Sequence, residues 1–323
     1  MSAIAAAGNE VAAIQGGVEA VGASAQVHDL PSFLVLGPPR TGSTWIYDVL
    51  HPRASLPSPT KETRFFDLHF DRGIDWYLHH FQSNPEKRVV GEVAPTYFAS
   101  PQACGRIRAI LPHAKLIIVF RNPVQRLVSL YRLKRAYGFH AWSLEEALER
   151  DPELMASSLY ATHLRMWQSY FAPEQISINF FEDLTAEPQG FVDRICRFAG
   201  LPPFSLKQSE MKAVFSSASM TEPRLYAATR AAQAVADWCR ARKLDNLVHH
   251  VRNSRAFNLL VGGGAPLPSL PKDSLAKIHA LLLPETEELE SMLGRDLSAW
   301  KFPEATREQP SGAAQMRCAG PIR

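Results

Sequence analysis

The sequence predicts an α/β fold with a central parallel sheet, helices flanking it and a helical C-terminal part. Short, uniformly apolar runs occur at 33–36, 116–120 and 176–181. Such runs are typical of strands buried on both faces, as in a parallel sheet. Segments with helical spacing lie between and after them, which favours a sheet covered on both sides. The pair 89–90 is a candidate for a fourth, shorter strand.

Local start and stop signals predict the helices between the strands. Asn122 and Pro123 directly follow the second apolar run and suit the N-cap and first position of a helix. A further apolar stripe begins at Tyr160. Another begins at Phe191 and ends before Gly200, a residue favoured just after a helix.

Residues 31–303 are predicted to form a single domain. Residues 1–30 are rich in Ala and Gly without a clear period and predict a flexible N-terminal arm. The polar residues 304–323 predict a disordered tail. The last hundred residues are expected to be mainly helical, with apolar patterns that stop before Pro284 and before Gly294.

Composition argues against several classes of protein. A net charge of +3 over 323 residues is too small to indicate a nucleic-acid binder. The cysteines are widely separated and predict neither a zinc site nor a disulfide framework, which favours a reducing compartment; they are Cys104, Cys196, Cys239 and Cys318. No signal peptide and no apolar run of about 20 residues is recognisable. The sequence therefore predicts a cytoplasmic protein without a transmembrane segment.

The segment 37–45 has the composition of a phosphate-binding loop. It follows the first predicted strand directly and precedes a predicted helix. Its glycines allow a tight turn, and the N–H groups at a helix start point at a bound anion. Arg40 can add a charge-assisted hydrogen bond. Hydroxyls come from Thr41, Ser43 and Thr44.

Two departures separate this loop from that of an ATPase or kinase. The Walker A motif has Lys directly after its second glycine, where this sequence has Ser43. The strand at 116–120 ends in Arg121 rather than in an aspartate that could hold magnesium. A P-loop kinase or ATPase is therefore disfavoured, and a glycine turn without a ligand is the remaining structural alternative.

A second anion site is predicted where the strand at 116–120 ends. Ligands of open α/β sheets bind beyond the carboxyl ends of the strands, so Arg121 and the phosphate loop are expected on the same edge. Ser129 falls two turns into the following helix, off its apolar face. Taken alone, such an arginine is usually a surface ion pair and such a serine is usually solvated.

Together these segments resemble the sulfotransferases that use 3′-phosphoadenosine 5′-phosphosulfate (PAPS), in their glycosaminoglycan-type and bacterial branch. Segments 61–67, 92–98, 181–184 and 294–300 resemble further blocks of that branch. The resemblance implies a three-layer P-loop-type fold and a single sulfotransferase domain. It also implies PAPS as co-substrate, no required metal, and in-line transfer of a sulfuryl group to an acceptor hydroxyl.

The resemblance also implies roles for individual residues. Glu62 is the candidate base, and burial near Phe65 and Phe66 is expected to raise its pKa. Arg40 is expected to stabilise the leaving phosphate and the sulfonate oxygens. Trp45 has two interpretations of equal weight, an adenine platform or a core residue. The candidate donor-binding residues are Pro39, Arg40, Thr41, Gly42, Ser43, Thr44, Trp45, Arg121 and Ser129.

One departure from the family pattern leaves alternatives open. Members of this branch have Lys after the position of Glu92, and this sequence has Val93. Lys61 and Arg64 are the candidates to supply that charge. If neither does, the chain is a catalytically silent PAPS-fold protein that binds nucleotide. His140, near a candidate acceptor cleft, is a weaker alternative for the base.

The acceptor is not identified by the sequence. A sugar, a lipid or a small molecule with a hydroxyl group fits equally well. The segment 213–267 is expected to shape this choice, and the oligomeric state is left open.

Overall fold

The computed structural model describes residues 30–81, 89–212, 265–267 and 269–301, and a few residues between 221 and 235. The predicted N-terminal arm, except for its last residue, and the predicted tail lie outside the described residues. So does most of the segment expected to shape acceptor choice.

Four parallel strands form the sheet in the order β2-β1-β3-β4. They are β1 (Phe33–Leu36), β2 (Gly91–Val93), β3 (Lys115–Phe120) and β4 (Ile176–Phe180). This confirms the predicted α/β fold. The short strand predicted at 89–90 is β2, which begins one residue later at Gly91. Val90 itself forms only an isolated bridge with Ser55. Gly91 instead pairs with Phe33, whose ring fills the space that a side chain there would occupy.

Helices account for most of the other described elements. They are α1 (Ser43–Leu50), α2 (Ile74–His79), α3 (Pro101–Ile110), α4 (Pro123–Ala136), α5 (Leu144–Arg150), α6 (Pro152–Ala156), α7 (Tyr160–Tyr170), α8 (Phe181–Ala186), α9 (Pro188–Ala199), α10 (Gln208–Lys212), α11 (Lys272–Leu293) and α12 (Ser298–Lys301). Short 3₁₀ turns cover Phe70–Arg72, Pro95–Ala99 and Pro173–Gln175.

The sheet separates two apolar layers. Alternate residues of β1 enter opposite layers, Leu34 on one face and Val35 on the other. The first layer includes residues of α3 and α7, and the second includes residues of α1 and α9. Burial on both faces explains why the strands are apolar throughout.

The predicted helix boundaries depend on local chemistry, and most are confirmed. The Asn122 side chain accepts hydrogen bonds from the N–H groups of Val124 and Gln125, both at 3.1 Å. Gly200 ends α9 in the left-handed conformation, with φ 79°. The expected break at Pro284 is absent, because α11 continues through it to Leu293 and ends at Gly294. In the described part of the chain, no helix combines the length and apolar character needed to span a bilayer.

Candidate active site

The phosphate loop leaves β1 at the carboxyl edge of the sheet and enters α1. Gly37 has φ 127°, and a Cβ atom there would lie 2.8 Å from the carbonyl oxygen of Val119. Gly42 has φ 92° and precedes the first residue of α1. The N–H groups of the first turn of α1 have no partner within the helix and suit an anion. The structure thus forms the strand–loop–helix arrangement that the sequence predicts.

Arg40 links the two predicted anion sites. Its backbone has φ 81°, which is uncommon for a residue with a side chain. Its Nε atom donates a hydrogen bond of 2.9 Å to Oγ of Ser129. Ser129 is buried rather than solvated, because α4 packs this part of its surface against the loop. Burial lowers the pKa of the Arg40 guanidinium.

Arg121 lies at the end of β3, beside Arg40. Its Nη1 atom donates a hydrogen bond of 3.2 Å to the carbonyl oxygen of Arg40, and its guanidinium lies 4.5 Å from the centre of the Phe181 ring. Its buried Nε group meets no acceptor in the described part of the chain. Burial lowers the pKa of Arg121; the carboxylate of Glu182 opposes this shift, and the neighbouring charges of Arg40 and Arg126 add to it. A bound anion would favour the charged form of all three guanidinium groups.

Arg126 belongs to the same cluster, although it is not among the predicted site residues. Its side chain is fully buried, and Nη2 donates to Leu154 O at 2.7 Å and to Ser158 Oγ at 2.6 Å. Nη1 lies 3.5 Å from Pro39 O, and burial lowers the pKa of the guanidinium. The signal in the sequence is its position three residues before Ser129, which places both on one face of α4.

Lys61 contacts the first two residues of α1 and is paired with Glu62. The Nζ atom of Lys61 is 3.3 Å from Ser43 Oγ, 3.4 Å from Thr44 Oγ1 and 2.9 Å from Glu62 Oε1. About a quarter of the Glu62 side chain is exposed (26%). The expected burial of Glu62 near Phe65 and Phe66 is therefore not found, because those rings pack into the core. The carboxylate does lie beside the phosphate loop.

Arg64, the other candidate for the missing charge, is engaged elsewhere. Its Nη2 atom is 2.8 Å from Asp67 Oδ2, and 45% of its side chain is exposed. Val93 is buried in the apolar layer beneath α1 and α9. Of the two candidates, the structure brings Lys61 to the loop.

Glu92 is a buried carboxyl group behind the segment 61–63. Its Oε1 atom accepts hydrogen bonds from Thr63 N at 3.1 Å and from Thr63 Oγ1 at 2.6 Å. Its Oε2 atom accepts one from Tyr77 OH at 2.8 Å. Burial raises the pKa of Glu92 to about 7, although these hydrogen bonds favour the ionised form. Glu92, rather than Glu62, has the environment that the sequence assigned to the base.

Trp45 and His140 have environments of their own. Trp45 is 3% exposed, packs edge-on against Phe191, and donates its indole N–H to Glu210 O at 2.7 Å. Stacking on adenine requires an exposed ring face, so the structure supports the interpretation of Trp45 as a core residue. His140 stacks on Trp142 at 4.9 Å and lines a cavity of about 370 Å³.

Neither ring nitrogen of His140 has a hydrogen-bond partner among the described residues, and burial lowers its pKa. No contact in the described part of the chain joins His140 to Glu62 or Lys61. Where the structure describes the chain, no group of three or more His, Cys, Asp or Glu residues is arranged to hold a metal ion.

Comparison with known proteins gives one consistent result. Residues 30–243 match the model of the sulfotransferase domain family. The chain is 34% identical over 198 residues to bifunctional heparan sulfate N-deacetylase/N-sulfotransferase 2 of Bos taurus and of Homo sapiens. These matches cover 54% of this chain, which spans only about a fifth (22%) of the relatives' length. A sulfotransferase from Alicyclobacillus acidocaldarius has a similar fold, with a TM-score of 0.58 and 22% identity, covering 84% of this chain and 99% of that one.

Proposed function

The chain belongs to the sulfotransferase domain family, and on that premise we propose that it transfers a sulfuryl group from PAPS to an acceptor hydroxyl. The main support is the contact between Arg40 and Ser129, since it joins the phosphate loop to the second anion site. A donor with phosphate groups at both ends of an adenosine needs two such sites at one sheet edge.

The donor is held by cations and helix-start N–H groups. The loop from Arg40 to Thr44 binds the 5′-phosphosulfate, and Arg121 with Ser129 binds the 3′-phosphate. The terminal amino groups of Arg40 make no hydrogen bond to the described residues, so they are available to the donor. The guanidinium fork suits two oxygens at once.

The transfer is a displacement at sulfur in which Glu62 receives the proton. The acceptor oxygen forms a bond to sulfur while the bond between sulfur and the 5′-phosphate oxygen breaks. The acceptor proton passes to the Glu62 carboxylate, and the electron pair leaves with the phosphate. Arg40 and the first turn of α1 stabilise the charge that develops on the leaving group.

The relatives favour one second candidate, transfer to an amine. Their name specifies N-sulfotransfer, and the identity to them is 34%. An amine acceptor would use the same donor site and the same proton acceptor. The acceptor class (a sugar, a lipid or a small molecule) and the cytoplasmic location stay predictions.

Sulfotransfer is tested by incubating the protein with labelled PAPS and a panel of hydroxyl and amine acceptors. The variant Glu62→Gln is expected to lose at least about 100-fold in kcat while keeping its affinity for 3′,5′-bisphosphoadenosine, since only the proton acceptor is removed. Glu174→Gln, an exposed carboxylate in the 3₁₀ turn before β4, is the matched control. Equal kcat for Glu62→Gln and the parent would exclude Glu62 as the base.

Donor binding is tested separately by calorimetry with 3′,5′-bisphosphoadenosine. Arg121→Ala is expected to lose at least about tenfold in affinity because a charged hydrogen-bond donor is removed. Arg197→Ala, an exposed arginine on α9, should bind like the parent. No binding by the folded parent would contradict the proposed function, and binding without turnover would favour a catalytically silent protein.

A further inference from the structure

Resting on the proposed function, we propose that Lys61 is the cation that contacts the transferred sulfonate. Its ammonium group is within 3.4 Å of both hydroxyl oxygens that open α1, Ser43 Oγ and Thr44 Oγ1. It is also ion-paired with Glu62 at 2.9 Å. The cation and the proton acceptor are therefore adjacent at the helix start that receives the donor.

The contacts of Lys61 prepare the two hydroxyls for an anion. An ammonium group only donates hydrogen bonds, so the oxygens of Ser43 and Thr44 act as acceptors towards it. Each hydroxyl keeps its own proton, which is then free to be donated to a sulfonate oxygen. These two contacts and the ion pair with Glu62 engage all three N–H donors of the ammonium group, so a bound sulfonate oxygen takes over one of the two long contacts to the hydroxyls.

The position of Lys61 is set by the segment behind it. Thr63 donates hydrogen bonds from both its backbone N–H and its hydroxyl to Oε1 of buried Glu92. Tyr77 holds the other carboxyl oxygen of Glu92. Thr63 is thus held to the core two residues from Lys61.

Arg64, the other candidate for this charge, has no comparable position, and position 93 offers no cation. Arg64 pairs with Asp67 and is about half exposed, with its backbone in the left-handed region at φ 54°. Val93 is fully buried and carries no charge. The lysine that precedes the base therefore replaces a cation that position 93 does not provide.

The test compares PAPS with 3′,5′-bisphosphoadenosine, which lacks the sulfonate, in binding measurements without acceptor. Lys61→Met should weaken PAPS binding about tenfold and leave binding of the bisphosphate within about threefold of the parent, since a charged hydrogen bond is lost only towards the sulfonate. Its kcat should fall at least about tenfold. Lys61→Arg, which keeps the charge, should recover most of both losses, and Arg64→Met should change neither.

Each outcome decides the proposal. Equal weakening towards both nucleotides would mean that Lys61 only supports the loop, and unchanged PAPS binding would exclude the contact; either result overturns the inference while leaving sulfotransfer intact. If the parent turns over no acceptor, the effect of Lys61→Met on PAPS affinity relative to bisphosphate affinity still shows whether Lys61 contacts the sulfonate. A folded parent that binds neither nucleotide overturns the proposed function itself, and this inference with it.

Discussion

Arg40 Nε donates a hydrogen bond of 2.9 Å to Ser129 Oγ, between residues that are 89 positions apart in the sequence. The bond connects the phosphate loop after β1 with the second turn of the helix after β3. Both predicted anion sites therefore belong to one hydrogen-bonded unit, and a change in one should affect the other.

Ser129→Ala should weaken binding of 3′,5′-bisphosphoadenosine about tenfold. The substitution removes the oxygen that orients Arg40, and a hydrogen bond to a charged group contributes about 1.5–3 kcal/mol. Ser169→Ala is the matched control, because Ser169 is an exposed serine of α7 whose hydroxyl only donates to Met166 O within the helix. The measurement is calorimetry with 3′,5′-bisphosphoadenosine on both variants. Equal affinities of Ser129→Ala and Ser169→Ala would contradict a role of the Arg40–Ser129 hydrogen bond in nucleotide binding.

Local signals explain which parts of the fold are predictable from sequence. The start of α4 follows from Asn122 and Pro123, because capping involves only neighbouring residues. Arg121 was assigned correctly to the strand end, since the chain itself places it one residue after Phe120. In contrast, Pro284 predicts a break that α11 does not make. The apolar contacts of Ile278 and Leu289 on either side keep the helix continuous.

Burial of polar groups depends on distant contacts and is not readable in the same way. Glu92 is held by Thr63 and Tyr77, which precede it by 29 and 15 positions. Arg126 is held by residues of α6 and of the turn that follows it. The sequence therefore predicts burial for Glu62 from its neighbours Phe65 and Phe66, whereas the fold encloses Glu92 and leaves the Glu62 side chain 26% exposed.

Gly42→Ala should destabilise the protein by about 1–3 kcal/mol and weaken nucleotide binding. A residue with a side chain is strained at φ 92°, and the added Cβ atom would lie 2.7 Å from Cδ2 of Leu184. Gly105→Ala is the matched control within α3, where no atom lies within 4 Å of the added group. It should be neutral or stabilise by up to about 1 kcal/mol. The urea concentration at the midpoint of unfolding measures the stability of both variants. An unchanged midpoint for Gly42→Ala would contradict the loop geometry.

Substitutions at Arg126 should separate its charge from its hydrogen bonds. Arg126→Met removes both, so it should lower the free energy of unfolding by about 1–3 kcal/mol, because the buried acceptors Leu154 O and Ser158 Oγ lose their donor. It should also weaken binding of 3′,5′-bisphosphoadenosine. Arg126→Lys keeps the charge without the fork, so it should lose stability but retain more affinity. Equal affinities of the two variants would mean that the charge of Arg126 does not reach the nucleotide.

Glu92→Gln should change how stability depends on pH. The folded-state pKa of Glu92 is raised from 4.5 to about 7, so the folded protein holds this proton more tightly than the unfolded chain does. The contribution of Glu92 to stability is therefore greatest at low pH and falls as the pH rises from about 4.5 to about 7, by on the order of 3 kcal/mol over that window. Above about pH 7, Glu92 is ionised in both the folded and the unfolded state. It then no longer changes how the free energy of unfolding depends on pH.

Glutamine cannot titrate, so this decline should be absent from Glu92→Gln. The measurement is the free energy of unfolding in urea at several pH values between about 5 and about 8, for the parent, Glu92→Gln and Glu174→Gln. Glu174 is exposed, so its variant should follow the parent. Subtracting the variant from the parent removes the contributions of other titrating groups, including Glu182, whose pKa is also raised by burial. Parallel curves for the parent and Glu92→Gln would mean that the enclosed carboxyl group stays ionised throughout, because its donors from Thr63, Tyr77 and Tyr97 then outweigh the cost of burial.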